Sequence, residues 1–317
     1  MNSRHSIHGL LAVALLAAAG GGLLAGCQAV KAVGELGTDI AVATGAMTEE
    51  QGESAKRTLN AAVTAAETLT PENEYYIGRS VLAGLLGKTQ DGRVRYPVYD
   101  KPALTDYVNT LGQALAMVSD RPETFGGYRF LVLDSDEINA FAAPGGLIVV
   151  TRGMIRCCRS EDALAAVLAH EIGHVQHQHG LKSIKKSRIT GAVTTVLAEA
   201  GKTLGGADLA EAVKAFEGSL EDITQTLVVN GYGRAAEREA DAAAVQILRR
   251  VGYDPHALAD MLGQMSQRLT RGGLDFAKTH PDPADRIREL RGRLSETAAF
   301  APPRARQDRF ERMARGI

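Results

Sequence analysis

The sequence predicts an α+β fold that is mostly helical, with a small β-sheet set against two helices that carry a metal site. Three observations lead there. His170-Glu171-Ile172-Gly173-His174 is an H-E-x-x-H pattern inside a helical stretch. Tyr128 to Leu133 and Leu147 to Thr151 are alternating or β-prone runs. Much of the remaining chain repeats its apolar residues at helical spacing. With 317 residues, 45% of them hydrophobic, the chain can fill one large core or two small ones. A formal net charge of −1 gives no global basic field for nucleic acid. Many Ala and Gly residues and no Trp fit a helix-rich fold packed through small side chains.

The N-terminus stands apart. Arg4, His5 and His8 precede an apolar run from Leu10 to Leu24. That run is too short to span a bilayer comfortably and suits the apolar core of a signal peptide. Leu24-Ala25-Gly26-Cys27 resembles a bacterial lipobox, which makes residues 1–26 a signal peptide and Cys27 a lipidated first residue. The alternative is an ordinary secretory signal followed by an incidental cysteine. Gln28, where an Asp would favour the inner membrane, points by the same resemblance to the outer membrane. Residues 27–70 read as a tether with weak helix.

Pro71 opens the structured domain, 71–295. Leu104, Tyr107, Val108, Leu111 and Leu115 follow a helix face. Pro144-Gly145-Gly146 separates the second strand from what precedes it. Cys157 and Cys158 are adjacent, so a bond between them is strained, and they read as small buried apolar residues. The motif helix starts near Ser160, with Glu161 and Asp162 in its first turn, where acids suit the helix dipole. Leu164, Leu168, Ile172 and Val175 form its apolar side; His170, His174 and His177 lie on another; Gly180 is the expected stop.

Residues 181–230 open with Lys182, Lys185, Lys186 and Arg188 and are broken by Gly201, Gly205 and Gly206. Leu209, Val213, Phe216, Leu220, Ile223 and Leu227 then fit a helix with one buried face, or alternatively a lid over the site or a helix that meets membrane or a partner. A helix from Ala235 to Val251 ends at Gly252. Asp254-Pro255 and Asp282-Pro283 each read as an N-cap followed by proline at the first helical position. The tail, 296–317, is rich in arginine and is expected to be solvated and poorly ordered.

Residues four apart on a helix share a face, so His170 and His174 can reach one metal ion, and Glu171 can activate its water. A catalytic zinc takes three protein ligands and keeps one position for water. The pattern H-E-x-x-H-x-x-G-x-x-H fails, because His177 and Gly180 occupy its Gly and His positions. The open candidates are His177, His179 and later carboxylates. Glu237 is the best, because Glu237 and Asp241 share a helix face: one can bind zinc while the other accepts the N–H of a ligand histidine. Glu239 points elsewhere and reads as a surface acid.

Four blocks, in order, resemble the zinc metallopeptidase family that contains the bacterial β-barrel assembly-enhancing protease, the heat-shock membrane protease and the CAAX prenyl endopeptidase. They are Asn139 to Gly146, the His170 to His174 helix, Arg234 to Asp241, and Thr279-His280-Pro281 with Arg286-Ile287. The match covers roughly residues 72–295 and is most similar to compact periplasmic lipoprotein members. The long C-terminal helical-repeat domain of the assembly-enhancing protease has no counterpart in this sequence.

The resemblance implies a zincin-type metallopeptidase domain whose edge strand lines the cleft, and one zinc per chain on His170, His174 and Glu237. It implies Glu171 as general base, Asp241 orienting a ligand histidine, and an extended substrate adding along Asn139, Ala140, Phe141, Ala142, Gly145 and Gly146. It places His280 near the metal, as an oxyanion donor or as an occupant of the open position that keeps the enzyme idle, and makes His179 structural. The implied function is an endopeptidase acting on misfolded or unassembled envelope proteins, held at a membrane through Cys27. A chaperone or assembly factor using the same groove is the competing reading, and a structural zinc protein with four closing ligands is a third.

Overall fold

A computed structural model describes residues 35–45, 47–66, 70–87, 94, 96–184, 231–268, 276, 280, 283–294 and 300–317. The signal peptide, Cys27, most of the 181–230 segment, Thr279, Pro281 and Asp282 lie outside the described residues. The chain divides into two compact units. One contains helical turns at 35–43 and α1 (Glu49–Ala66), so much of the expected tether is helix.

The second unit carries everything that follows. Its helices and strands in order are α2 (Pro71–Leu86), α3 (Pro102–Ala116), β1 (Arg129–Leu133), β2 (Ala140–Ala143), β3 (Leu147–Thr151), α4 (Arg152–Cys157), α5 (Glu161–Gln176), α6 (Arg234–Val251), α7 (Ala257–Arg268), α8 (Pro283–Leu294) and α9 (Arg304–Ala314). The result is a mostly helical α+β domain with a small mixed sheet.

The sheet order is β1-β3-β2, with β1 parallel and β2 antiparallel to β3. Side chains alternate between faces with period two. Phe130, Val132, Ala140, Ala142, Ile148 and Val150 join the main core with α3 and α5. Leu133, Phe141, Ala143, Leu147 and Val149 join Val81 and Leu85 of α2 on the opposite face. Burial on both sides explains why Leu147 to Val150 is an unbroken apolar run. Gly145 and Gly146 turn the chain from β2 into β3 at φ of 79° and 92°, and a Cβ on Gly145 would stand 2.7 Å from the Cα of Tyr75.

Ser160 caps α5 as predicted, its Oγ accepting from the Ala163 N–H at 3.1 Å. The helix ends sooner than expected: Gln178, not Gly180, takes the left-handed turn at φ 54°, and helical structure resumes at 179–184. α6 ends at Gly252 in the left-handed conformation, with the Tyr253 N–H reaching Leu248 O at 2.8 Å. α5 and α6 cross so closely that a Cβ on Gly173 would meet Ala240 O at 2.8 Å. Asp254 starts an Asx turn rather than the helix, accepting from the His256 N–H, and α7 begins at Ala257. Cys157 and Cys158 are both buried and are not joined by a disulfide.

The expectation of a solvated tail is overturned. Residues 304–314 form α9, Phe310 is buried, and the compact unit runs on to Ile317 rather than stopping at 295. Arg309 Nε donates to Glu161 Oε2 at 2.7 Å, and the Arg306 guanidinium lies 4.0 Å over the ring of Tyr253. These arginines look solvated in sequence because their partner acids lie far earlier, 148 positions for Arg309 and 144 for Arg306.

Candidate metal centre

Two crossing helices and a single downstream histidine build the site. α5 presents His170 and His174, whose Nε2 atoms stand 3.1 Å apart. α6 presents Glu237, with Oε2 3.5 Å from His170 Nε2 and Oε1 3.5 Å from His174 Nε2. His280 Nδ1 lies 3.0 Å from Glu237 Oε1 and 3.3 Å from His170 Nε2. Candidate ligand atoms of these four residues all fall within 4.8 Å of one another, and all four residues are buried.

The donor set fits zinc. Ligands bound tetrahedrally at about 2.0–2.1 Å stand roughly 3.3 Å from each other, and the spacings above lie on either side of that value. Three imidazole nitrogens and a carboxylate are borderline and hard donors of the kind zinc takes. Among the described residues Glu237 Oε2 also has no well-aligned hydrogen-bond donor, although Arg286 Nη1 approaches to 2.8 Å. A buried acceptor of that kind suits a cation.

A further ring of side chains holds these candidate ligands in place. Asp241 Oδ1 sits 3.0 Å from His170 Nδ1, one helical turn after Glu237. His179 Nδ1 is 2.9 Å from His174 Nδ1, and its Nε2 is 3.0 Å from Glu239 Oε2. Glu239 is therefore half-exposed, as a surface acid should be, yet it also anchors a histidine. Burial alone would lower both ring pKa values. For His174 burial prevails, while hydrogen bonds to Asp241 and Glu237 lift His170 to about 9. Burial opposes charge on Glu237 too, but His280 and His170 hold its carboxyl far below the usual range.

Glu171 stands apart from these paired groups. It is fully buried, and among the described residues neither carboxylate oxygen has a hydrogen-bond partner; the imidazole nitrogen of His280, Nε2, is 3.6 Å away. Burial raises its pKa. An acid held ready for protons, without a neutralising partner, is what a general base requires.

Sequence reasoning did not assign Arg286, Tyr232 or Phe276 a role. Arg286 is buried and donates to Asp241 from Nε at 2.9 Å and from Nη2 at 2.7 Å. Tyr232 stacks on His174 with ring centroids 4.1 Å apart, and Phe276 stacks on His280 at the same spacing. Among the expected substrate residues, Ala140 to Ala143 form the edge strand β2, Asn139 precedes it, and Gly145 and Gly146 form its turn. His177 lies at the end of α5, partly exposed and outside the cluster.

Residues 102–294 match the model of peptidase family M48. The chain is 31% identical over 202 residues to the β-barrel assembly-enhancing protease of Escherichia coli K12, covering 63% of this chain and 41% of that protein. It is 32% identical over 160 residues to the mitochondrial metalloendopeptidase OMA1 of Schizosaccharomyces pombe, covering 50% and 44%. Against the metalloprotease LoiP of E. coli K12 it is 27% identical over 192 residues, covering 61% and 69%. The match thus spans about two fifths of the assembly-enhancing protease. A family match over most of the second unit, on the same two helices that bring His170, His174 and Glu237 together, places this chain in the zinc-using peptidase family M48.

Proposed function

We propose that the protein is a zinc-dependent endopeptidase that cleaves misfolded or unassembled cell-envelope proteins. The observation that carries this reading is Glu171: a buried carboxylate without a hydrogen-bond partner among the described residues, beside a cluster of three imidazoles and Glu237. A purely structural zinc site, or a groove that only holds chains, has no need of such an acid.

In this reading His170, His174 and Glu237 hold one zinc. Bound zinc supplies a Lewis acid to the attacking water and the scissile carbonyl. Glu171 takes the proton from that water on a carboxylate oxygen and returns it to the departing amide nitrogen. Asp241 and His179 keep His170 and His174 in the ring orientation that turns Nε2 inward. His280, with Nδ1 3.0 Å from Glu237 Oε1, would lie close enough to serve as a further ligand to a bound zinc, which supports the idle-enzyme role over that of oxyanion donor.

The envelope setting rests on the Leu10 to Cys27 sequence and on the name of the β-barrel assembly-enhancing protease. The reading includes a lipid anchor at Cys27 and placement at the outer membrane. Among the described residues no helix is long and apolar enough to cross a membrane.

The test compares the zinc-loaded protein with Glu171→Gln on casein, an unfolded polypeptide. The variant is expected to keep one zinc per chain and lose about 10²–10⁴-fold in kcat. Equal cleavage by both would remove Glu171 from the mechanism. Casein binding without cleavage by either would favour the chaperone.

A further inference from the structure

A helix leaves its last carbonyls without partners inside the helix, and its final turn frays unless other groups take them. His174 sits in the final turn of α5, so its place depends on what holds that end. Two residues after α3 do so. Arg121 Nη1 donates to Val175 O at 3.1 Å, and Asp120 donates its N–H to Gln176 Oε1 at 3.0 Å.

Arg121 is itself set by Glu74, a buried acid in the first turn of α2. Its Nη1 donates to Glu74 Oε1 at 3.0 Å and its Nη2 to Oε2 at 2.6 Å, a two-pronged pair with fixed geometry. The same carboxylate accepts from the Gly145 N–H at 3.1 Å and from Gln178 Nε2 at 3.3 Å. Among the described residues Gln178 is the one non-glycine with positive φ, 54°. Side chains disfavour that region, and it persists only where neighbours impose it. The left-handed turn at Gln178 brings His179 back onto the helix, with Nδ1 2.9 Å from His174 Nδ1. Glu74 and His174 line one small cavity together with Val175, Gln178 and Leu181.

We infer that Glu74 and Arg121 are positioning residues for the metal site. Arg121 pins the end of α5, the Glu74 carboxylate holds Gln178 in its left-handed turn, and that turn holds His179 against His174. This rests on His174 being a zinc ligand, as in the peptidase reading, and deepens it. Without the carboxylate, Gln178 relaxes toward negative φ, His179 leaves His174, and the His174 ring is free to turn.

The experiment measures zinc affinity of the full chain by competition with a chromophoric chelator, at a temperature where every variant is folded. Glu74→Gln keeps the volume and removes the charge. Gln178→Ala removes the amide but keeps the side-chain penalty on positive φ. Each is expected to weaken zinc binding about three- to tenfold, less than the 10–100-fold of a group that touches a ligand directly. Gln178→Gly also lacks the amide, but glycine takes positive φ freely, so it is expected to bind zinc within about twofold of wild type. Added to Glu74→Gln, it is expected to restore most of the lost affinity. Unchanged affinity in Glu74→Gln, a loss there that adding Gln178→Gly does not relieve, or equal affinities in the two Gln178 variants overturns the proposal and leaves the peptidase reading standing. Should Glu74→Gln not fold, the two Gln178 variants decide alone. The expected affinities with no casein cleavage by the wild type support the positioning role and overturn the peptidase reading. No zinc binding by the wild type overturns both.

Discussion

His170 and His174 are each held by a group that the H-E-x-x-H motif does not contain. Asp241 accepts from both His170 and Arg286, and it does so buried, where a lost charge cannot be replaced by water. Asp241→Asn keeps the volume but removes the charge that fixes the His170 ring. Zinc affinity is expected to fall about 10–100-fold, read by competition with a chromophoric chelator. Unchanged affinity would show that Arg286 and helix packing alone hold the ring. The His170–His174 pair was legible because its spacing is local, and Glu237 because Asp241 repeats the face one turn later. Arg286, Tyr232 and Phe276 were not. Arg286 finds its acid 45 positions away, and nothing local separates it from the solvated arginines around it.

At the scale of elements, the Gly180 stop and the Asp254 cap did not hold, but several periods and caps made the sequence legible. The strands at Arg129–Leu133 and Leu147–Thr151, the Ser160 cap and the Gly252 stop are of this kind. The C-terminal arginines were misread because helix spacing does not reveal a partner. α9 clamps the start of α5: Glu161 accepts from Arg309, from Tyr253 at 2.7 Å and from Tyr107 at 2.9 Å. Burial opposes ionising Glu161, but these donors hold its pKa below normal. Stability from that depressed pKa is present above the unfolded value of about 4.3 and is lost as pH falls through the folded value. Arg309→Met should cost about 1–3 kcal/mol near neutral pH, because two other donors remain on a buried carboxylate. The difference from wild type in urea unfolding should shrink as pH drops below 4.3 or so. A constant difference across that range would place the effect in apolar packing of α9 instead.

Within the peptidase unit as a whole, the metal site concentrates charge that the fold alone leaves unbalanced. Glu171, Glu237 and Asp241 are buried acids, and Arg286 is the buried guanidinium set among them. Without metal, His170 relieves part of that imbalance by holding a proton, with its pKa near 9. Its folded pKa lies above the unfolded value of about 6.5, so this stabilisation is complete below that pH. It is lost as pH rises through about 9. With zinc bound, the same carboxylates would meet its two charges in place of that proton. Metal removal by a chelator should therefore lower Tm, by about 5–10 °C if zinc had been held at a hundredfold excess over its Kd. The gap between zinc-loaded and metal-free protein should widen from pH 6 to pH 9, because only the metal-free form loses the His170 proton over that range. Calorimetry at matched zinc activity checks this. A gap that narrows with rising pH would mean that His170 is neutral before zinc arrives, and that the pull of Asp241 and Glu237 does not overcome its burial.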